Sequence, residues 1–255
     1  MLYQEITDFV DCHVPDSQSS SVAYSVLFGN YDRPPKLPAR SGLKCFLFTD
    51  RPDLAPKPWQ PVLVDSSRFG PRRTGRYFKC LGHRLFPEAH QSIYFDASFT
   101  FLKPLPNLLE RYSDAQFTLF QHGERNDINA EAEACIRQGK DDRDVIDAQV
   151  ERYRAEGLPS PSSCYSTGVL LRDFTDPLVI AVNEAWCAEI LAWSTRDQIS
   201  LPFVLWRLGL KPDVIEGDVF YNRYLVPRPH AGTRLDQQLK RTIALYLYRS
   251  RILRR

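Results

Sequence analysis

Apolar runs of strand length recur along the chain, separated by polar and proline-rich connections. The runs VAYSVLFG, GLKCFLFTD and QPVLVD combine β-branched and aromatic residues, which favours strands packed in a core. SIYFDASFTFL predicts a fourth strand, and DAQFTLFQH and CYSTGVLLRD predict a fifth and a sixth. Prolines crowd the early connections, so those connections are predicted to be mostly loops.

Helical periodicity occupies several of the intervening segments. YFKCLGHRLFPEAH and NLLERYSD have helical spacing, and a polar helical region runs from Asn129 to Glu156 with a break near Gly139. A further helix begins with Asp176 as its cap and Pro177 at its first position. Alternating strands and helices predict an α/β fold in which helices flank a central mixed sheet.

Length and composition fit one sizeable domain. The chain has 255 residues, of which 43% are hydrophobic, which is ample for a packed core. We expect a single domain over residues 1–232 and a basic amphipathic helix or tail over 233–255. Thirty-three Lys and Arg against 31 Asp and Glu give a net charge of +2, which does not indicate nucleic acid as a partner.

The amino terminus lacks the features of a secretion signal, and no segment is long enough to span a membrane. Six cysteines are scattered without a CxxC pair, which favours reduced thiols over disulfides or a zinc site. The sequence therefore predicts a cytoplasmic location.

Asp96 interrupts the apolar fourth strand. It follows Ile93, Tyr94 and Phe95 at the predicted carboxyl end of the strand, the edge where α/β sheets form ligand crevices. One acid there can hold a hard cation whose other ligands are phosphate oxygens and water. An Asp that satisfies turn amides is an equally good interpretation from position alone.

A basic run, RRTGRYFK, precedes this strand. Arg76 and Lys79 are three residues apart and would share one helix face, where they could neutralise a diphosphate. Solvated surface charge is the commoner explanation of such a run.

Ionisable residues also follow the fifth strand. His122, Glu124, Arg125 and Asp127 lie within HGERND and could contact a polar substrate, although loops are normally polar. Glu131 and Glu133 are predicted to be surface residues of a helix. In WSTRDQISLPF, Ser194 and Asp197 have the spacing of a capping box, which we favour over a sugar-binding or proton-accepting role for Asp197.

Two features lie near the carboxyl terminus. His230 is a lone histidine that either is a surface residue or completes a cation site with Asp96. The tail from Arg234 to Arg255 has seven basic residues and one acid on an apolar helical pattern. It either packs on the body of the protein or lies on an anionic membrane or partner.

The motifs VLFGNYD, CFLFTD, RYFKCLGHRLFPEAHQSIYFDAS, HGERNDINAEAEAC, STGVLLRD and WSTRDQISLPFVLWRLG, in this order, resemble a family of glycosyltransferase-like domains. This family is of the plant TOD/MUCI type and also occurs in bacterial polysaccharide clusters. The resemblance runs from about Val22 to Asn222. It implies a GT-A-like, Rossmann-type fold with a nucleotide-binding half and an acceptor-binding half.

The resemblance also implies roles for individual residues. The donor-binding set is Phe28, Gly29, Tyr31, Arg76, Lys79, Asp96 and Ser98, and the acceptor- or sugar-binding set is His122, Arg125, Gly168, Arg196 and Gln198. Asp96 and Asp197 are the catalytic candidates, with Asp197 as the base if the reaction inverts the anomeric carbon.

A divalent cation, Mn²⁺ or Mg²⁺, is implied as cofactor. The fold usually shows Asp-x-Asp at this point, whereas this chain has Asp96-Ala97-Ser98 and lacks the second carboxylate. Ser98 could supply a hydroxyl or hold a water, and His230 a further ligand.

The leading hypothesis is a glycosyltransferase that moves a sugar from a nucleotide-sugar donor to a polysaccharide or lipid-linked glycan, with peripheral contact at the inner face of a membrane. The alternatives are a non-catalytic nucleotide- or carbohydrate-binding protein and a metal-dependent phosphohydrolase that uses Asp96 and His230.

Overall fold

The computed structural model describes residues 2–14, 19–37 and 42–228 of the chain. Strands and helices alternate along these residues. The strands are β1 (Ser21–Leu27), β2 (Lys44–Thr49), β3 (Gln60–Leu63), β4 (Gln91–Phe95), β5 (Phe99–Phe101), β6 (Phe117–Gln121), β7 (Tyr165–Arg172), β8 (Asp213–Ile215) and β9 (Leu225–Pro227). The helices are α1 (Leu2–Asp11), α2 (Pro71–Cys80), α3 (Gly82–Leu85), α4 (Pro106–Arg111), α5 (Ile128–Arg137), α6 (Arg143–Ala155), α7 (Pro177–Ala192) and α8 (Asp197–Leu208).

In the described part of the chain, seven strands form one sheet in the order β3-β2-β1-β4-β7-β6-β8. Strand β7 runs antiparallel to both of its neighbours, and the remaining strands are parallel to one another. The predicted α/β fold with a central mixed sheet flanked by helices is therefore confirmed. The β3-β2-β1-β4 half has the strand order of a mononucleotide-binding unit.

Both faces of the sheet are buried, and side chains of successive residues alternate between them. On β1, Tyr24 packs in the core beneath the long helices, whereas Ala23 packs in the opposite core. On β4, Tyr94 takes the first face and Phe95 the second. Because both faces are buried, both alternating sets of side chains are apolar. These strands therefore appear in the sequence as continuous apolar runs.

The run SIYFDASFTFL is not one strand, which corrects the sequence interpretation. β4 ends at Phe95, and Asp96, Ala97 and Ser98 make a turn before β5. β5 leaves the main sheet and pairs antiparallel with β9 in a two-stranded sheet. Because aromatic residues lie on both sides of this turn, the run resembled one continuous strand.

The other predicted elements are confirmed, except that the helix predicted over YFKCLGHRLFPEAH divides into α2 and α3 and ends at Leu85, because Pro87 disfavours helical backbone at Phe86. The helical region after Asn129 divides into α5 and α6 around Gly139, whose positive φ ends α5. The carboxylate of Asp176 caps α7 by accepting hydrogen bonds from the amides of Leu178 and Val179. The sequence analysis missed α1, β8 and β9.

The predicted tail over 233–255, the domain boundary at 232 and His230 all lie outside the described residues, so these interpretations stay predictions. Among the helices that the structure describes, none combines the length and the apolar character that crossing a membrane requires. The protein's six cysteines are all free thiols, and Cys12 is the exposed one.

Candidate active site

The carboxyl ends of β1 and β4 lie side by side at one edge of the sheet. From β1 the sheet continues through β2 to β3, and from β4 it continues in the other direction to β7. Such a reversal of strand order opens a crevice between the loops that follow the two strands. Asp96 follows β4 directly and the turn at Gly29 follows β1, so both lie at this crevice.

Asp96 is held in place and still reaches the solvent. Its Oδ1 accepts a hydrogen bond from the Tyr94 hydroxyl at 2.6 Å and lies 3.6 Å from the Lys79 Nζ. Its amide donates to the Gly168 carbonyl at 2.8 Å, which joins the turn to β7. About a third of the side chain, 34%, is exposed. Asp96 is therefore an oriented carboxylate that a ligand could contact.

Lys79 connects Asp96 to a second carboxylate. The Lys79 Nζ lies 2.6 Å from the Asp197 Oδ2 and over the rings of Tyr94 and Trp186. The same Asp197 oxygen accepts from the Thr167 hydroxyl at 2.9 Å and lies 3.2 Å from Arg76 Nη1. We call Asp96, Lys79, Asp197 and Arg76 the charged quartet.

The shared helix face of Arg76 and Lys79 is confirmed, because both contact Asp197. Surface charge explains Arg72, which is exposed, but it does not explain Lys79, whose side chain is 0% exposed. The expectation that Lys79 faces the donor is therefore corrected: it contacts the two carboxylates, and only Asp96 and Arg76 of the quartet are partly exposed.

Burial alone would raise the pKa of Asp197, but the charges of Arg76 and Lys79 outweigh it and hold the pKa well below its usual range. A carboxylate in this state accepts a proton poorly, and its side chain is 2% exposed. The proposed role of Asp197 as a base is corrected on these grounds. The geometry gives it the role of holding Arg76 and Lys79 in position.

Lys79 lies at the last turn of α2, and a buried network fixes this helix end. Arg172 donates to the carbonyls of Lys79 at 2.9 Å and Cys80 at 3.2 Å, and the Tyr24 hydroxyl donates to the Lys79 carbonyl at 3.1 Å. A cation at a helix carboxyl terminus satisfies carbonyls that lack helical partners. Arg172 therefore positions the backbone from which Lys79 extends.

Asp197 is the first residue of α8, and its position corrects the capping-box prediction. The N-cap is Arg196, which makes no side-chain cap bond. Ser194 instead accepts from the Arg196 amide and donates to Asp141, which also accepts from the Thr195 amide and hydroxyl at 2.8 Å. The Ser194–Asp197 spacing thus reflects a turn held by Asp141, and the Asp197 carboxylate turns inward.

The turn after β1 is fixed by a carboxylate that the sequence analysis did not single out. The Gly29 amide donates to Asp50 Oδ2 at 2.9 Å, and Ser66 donates to the same oxygen. Gly29 has φ +65°, a conformation that favours glycine. The Phe28 ring is buried against Phe78, so a contact of this residue with a ligand would come from its backbone, and its place in the donor-binding set stays a prediction. Tyr31 is largely exposed beyond the turn.

His122 and Arg125 form a compact cluster at the end of β6. The Arg125 Nε lies 2.5 Å from Glu131 Oε2, and the His122 Nδ1 accepts from the Arg125 amide at 3.1 Å. Burial and the Arg125 charge lower the pKa of His122. Glu131 is almost fully buried, which corrects its assignment to the surface, whereas Glu133 is exposed as predicted. β6 is two strands from β4, so the cluster lies about 10 Å along the sheet from Asp96.

Of the remaining predicted residues, Gly168 and Ser98 adjoin Asp96, whereas Arg196 and Gln198 lie around the start of α8. Gly168 lies directly behind Asp96, and a Cβ there would come within 3.2 Å of Asp96 Oδ2. The Ser98 carbonyl accepts from the Arg228 amide. Gln198 donates to the Tyr165 carbonyl at 3.3 Å, so its amide is tied to the start of β7, and Arg196 is partly exposed beside it.

Among the described residues, Asp96 is the partly exposed carboxylate on the β4 side of the crevice that could contact a divalent cation. Over the described ranges, no group of three or more His, Cys, Asp and Glu side chains is arranged to hold a metal ion. Gly168 has no Cβ, so β7 and the Phe99 ring pack closely beside Asp96. These residues fit a cation that a diphosphate brings with it, because the phosphates would supply most ligands. They do not fit a cation held by the protein alone.

Sequence reasoning missed Tyr94, Thr167, Trp186 and Asp141. Tyr94 carried a signal, because it lies two residues before Asp96 and so on the same face of the strand. Thr167 lies where the register of β7 against β6 shifts between Leu119 and Phe120, and the neighbouring Gly168 is a sequence signal of this bulge.

Comparison with known proteins gives the following similarities. A model of the family described as "TOD1/MUCI70, glycosyltransferase-like domain" matches residues 57–223. The probable hexosyltransferase MUCI70 of Arabidopsis thaliana is 32% identical over 165 residues, which are 60% of this chain and 28% of the plant protein. The chain thus spans less than a third of that relative's length.

Two solved structures are similar at low sequence identity. The apo form of mouse xyloside xylosyltransferase 1 has a TM-score of 0.44 and 10% identity, with 76% of this chain and 85% of the mouse chain covered. The apo structure of the bifunctional glycosyltransferase WbbM has a TM-score of 0.48 and 11% identity, with 79% and 39% covered.

Proposed function

Since this chain belongs to the TOD1/MUCI70 family of glycosyltransferase-like domains, we propose that it moves a sugar from a nucleotide-sugar donor to a polysaccharide or lipid-linked glycan acceptor. The observation that carries this proposal is the placement of Asp96. It is a partly exposed carboxylate, oriented by Tyr94 and Lys79, at the point where the strand order of the sheet reverses. The fold assignment within this proposal is GT-A-like.

In this reaction the bond between the anomeric carbon and the donor phosphate breaks, and its electron pair leaves with the diphosphate. A bond forms from the acceptor hydroxyl oxygen to the anomeric carbon, and the hydroxyl proton is released. The leaving diphosphate gains charge, so cations near the crevice stabilise it. Arg76, which is partly exposed beside Asp96 and Asp197, is the residue of the charged quartet that could contact it.

The cofactor of this proposal is Mn²⁺ or Mg²⁺ bound together with the donor, and Asp96 would hold it. When bound, such an ion acts as a Lewis acid on the diphosphate. Lys79 and Asp197 lie beneath the crevice, where they fix the positions of Asp96 and Arg76.

The other predicted contacts follow from the same placement. The turn from Gly29 to Tyr31 and the partly exposed Ser98 border the crevice on the donor side. His122, Arg125, Arg196 and Gln198 lie toward β6 and α8, where an acceptor would approach. Arg125, whose partly exposed guanidinium is held by Glu131, offers a preformed donor for hydroxyl groups.

We place the protein in the cytoplasm, at the inner face of a membrane. Five of its six cysteines are buried free thiols, which suits a reducing compartment. Fractionation of cells that express the tagged protein tests this location, and recovery from an oxidising compartment would contradict it.

A turnover assay tests the proposed activity. Purified protein is incubated with uridine, guanosine and cytidine nucleotide sugars, Mn²⁺ and candidate glycan acceptors, and the released nucleotide is measured. We expect turnover with one nucleotide class and a loss of at least about a hundredfold in Asp96→Asn, since one positioned charge can contribute that much. Asp114→Asn is the control and should keep full activity, because Asp114 is exposed and precedes β6, which places it at the opposite edge of the sheet from the crevice.

One observation favours a second candidate, a nucleotide- or carbohydrate-binding protein without turnover. Ser98 takes the place of the second acid of Asp-x-Asp, so the turn supplies one carboxylate rather than two. Binding of a nucleotide sugar without any release of product, in the presence of acceptors, would favour this candidate.

A further inference from the structure

Arg228 joins the two loops that border the crevice. Its Nη2 lies within hydrogen-bonding distance of three backbone carbonyls, those of Ala97 at 2.6 Å, Pro34 at 2.8 Å and Arg33 at 3.2 Å, which share its two N–H donors. Ala97 lies directly after Asp96, whereas Arg33 and Pro34 lie in the loop that follows β1. One guanidinium group therefore bridges the turn after β4 and the loop after β1.

The backbone around Arg228 reinforces this bridge. The Arg228 amide donates to the Ser98 carbonyl at 2.5 Å, in continuation of the pairing between β5 and β9. On the other side of β5, Lys36 forms a bridge with Thr100, and the Phe101 amide donates to the Lys36 carbonyl. Residues 33–36, 99–101 and 225–228 thus form one hydrogen-bonded layer behind Asp96.

The loop after β1 has a second anchor that does not reach Asp96. The indole of Trp59 donates to the Pro35 carbonyl at 2.8 Å, and the ring is buried. Trp59 therefore fixes the base of this loop to the body of the protein. The side-chain link to the Asp96 turn is made by Arg228.

We propose that Arg228 is a positioning residue that fixes the distance between the donor-binding turn after β1 and the Asp96 turn after β4. The expected change in kcat/KM for the donor rests on the proposed function, whereas the structural role of Arg228 does not. A guanidinium group suits this role, because its planar donors can serve carbonyls in different directions, whereas an ammonium group is a point donor. A displacement of about 1 Å between groups that hold a donor can reduce its reaction about a hundredfold.

The test compares Arg228→Ala and Arg228→Lys with a matched control, Arg223→Ala. Arg223 lies in the same carboxyl-terminal segment, but its guanidinium is exposed and pairs with the exposed Glu216. Amide hydrogen exchange is measured by mass spectrometry on each protein, together with kcat and KM for the donor and the thermal unfolding midpoint.

In Arg228→Ala we expect exchange to become at least about tenfold faster both in residues 31–37 and in residues 96–101, with the remaining segments unchanged. The kcat/KM for the donor should fall about 10- to 100-fold. Arg228→Lys should recover part of both effects, and Arg223→Ala should match the wild-type protein. Arg228→Lys also keeps the test valid if Arg228→Ala fails to fold.

Three results would overturn the inference. The first is unchanged exchange in either loop, the second is faster exchange throughout the chain, and the third is faster exchange in both loops with an unchanged kcat/KM. If the wild-type protein turns over no donor at all, the proposed function fails by itself. The exchange data then still decide whether Arg228 holds the two loops together.

Discussion

At the scale of single residues, the position of Asp96 could be predicted and its partners could not. A lone carboxylate at the end of an apolar run is visible in the sequence, because the run has strand character on one side and small residues on the other. Lys79 and Asp197 are 118 residues apart, and no spacing rule relates them. Their contact depends on the packing of α2 against α7 and α8, which is a property of the whole fold.

The stability of the protein depends on Lys79, because its side chain is buried beside Asp197. In Lys79→Met, Asp197 would stay buried and lose its nearest cation, so we expect the free energy of unfolding to fall by about 3–5 kcal/mol. Urea-induced unfolding measures this change. Lys103→Met, at an exposed position, should stay within about 0.5 kcal/mol of the wild type. A loss below about 1 kcal/mol in Lys79→Met would contradict the geometry of the quartet.

At the scale of elements, the sequence predicted the strands and helices that carry strong periodicity and missed those that depend on partners. β4 and β7 read clearly because both of their faces are buried. β8 and β9 are three residues each, and they exist because β6 and β5 offer edges for pairing. The β7 bulge beside Thr167 differs from these two strands, because the isolated Gly168 within β7 is a local signal for it.

Substitution of Gly168 tests whether donor binding requires β7 to pack closely against Asp96. A Cβ at this position would lie 2.6 Å from the Phe99 ring and 3.2 Å from Asp96 Oδ2. In Gly168→Ala we therefore expect donor binding to weaken at least about tenfold and stability to fall by about 1–3 kcal/mol. Calorimetric titration with a nucleotide sugar and thermal unfolding measure the two effects.

Gly75→Ala is the matched control for that substitution. A Cβ on Gly75 would make ordinary contacts at 3.6 Å with Val26, and the helix would gain stability. Donor binding as strong in Gly168→Ala as in Gly75→Ala would show that the space beside Asp96 has no part in binding.

At the scale of the whole molecule, charged side chains tie the amino-terminal helix to the body. Glu184 on α7 accepts hydrogen bonds from Tyr3 on α1, from His83 at 2.8 Å and from Arg84 at 2.7 Å. Burial alone would raise the pKa of Glu184, but these hydrogen bonds outweigh it and lower the pKa to about 2.

The sign of the resulting pH dependence follows from this depressed pKa. The stability that Glu184 contributes is fully present above its unfolded pKa of about 4.3 and is lost as the pH falls toward 2. We expect the difference in unfolding free energy between wild type and Glu184→Gln to shrink between pH 5 and pH 2.5 in urea titrations. The exposed Glu110→Gln should show no such trend, and a constant difference for Glu184→Gln would refute the assignment.

A further prediction at this scale concerns the tail over residues 233–255 and rests on the sequence alone. Its seven basic residues and one acid, on an apolar helical pattern, fit either packing on the body of the protein or binding to anionic lipid, and sedimentation with liposomes distinguishes the two. Deletion of residues 233–255 should reduce sedimentation with anionic liposomes and leave donor turnover largely intact, with zwitterionic liposomes as the control. Equal sedimentation of the two proteins would remove the membrane from the proposal.

The central claim is that Asp96 lies where a nucleotide-sugar donor binds, and isothermal titration tests it most directly. UDP, GDP and CMP and their common sugars are titrated into the wild-type protein and into Asp96→Asn, with Mn²⁺ and with a chelator. The account predicts that one nucleotide class binds the wild type with Mn²⁺ and binds at least about tenfold more weakly to Asp96→Asn or with the chelator. Equal binding by the two proteins, or no binding of any nucleotide to the wild type, would contradict it.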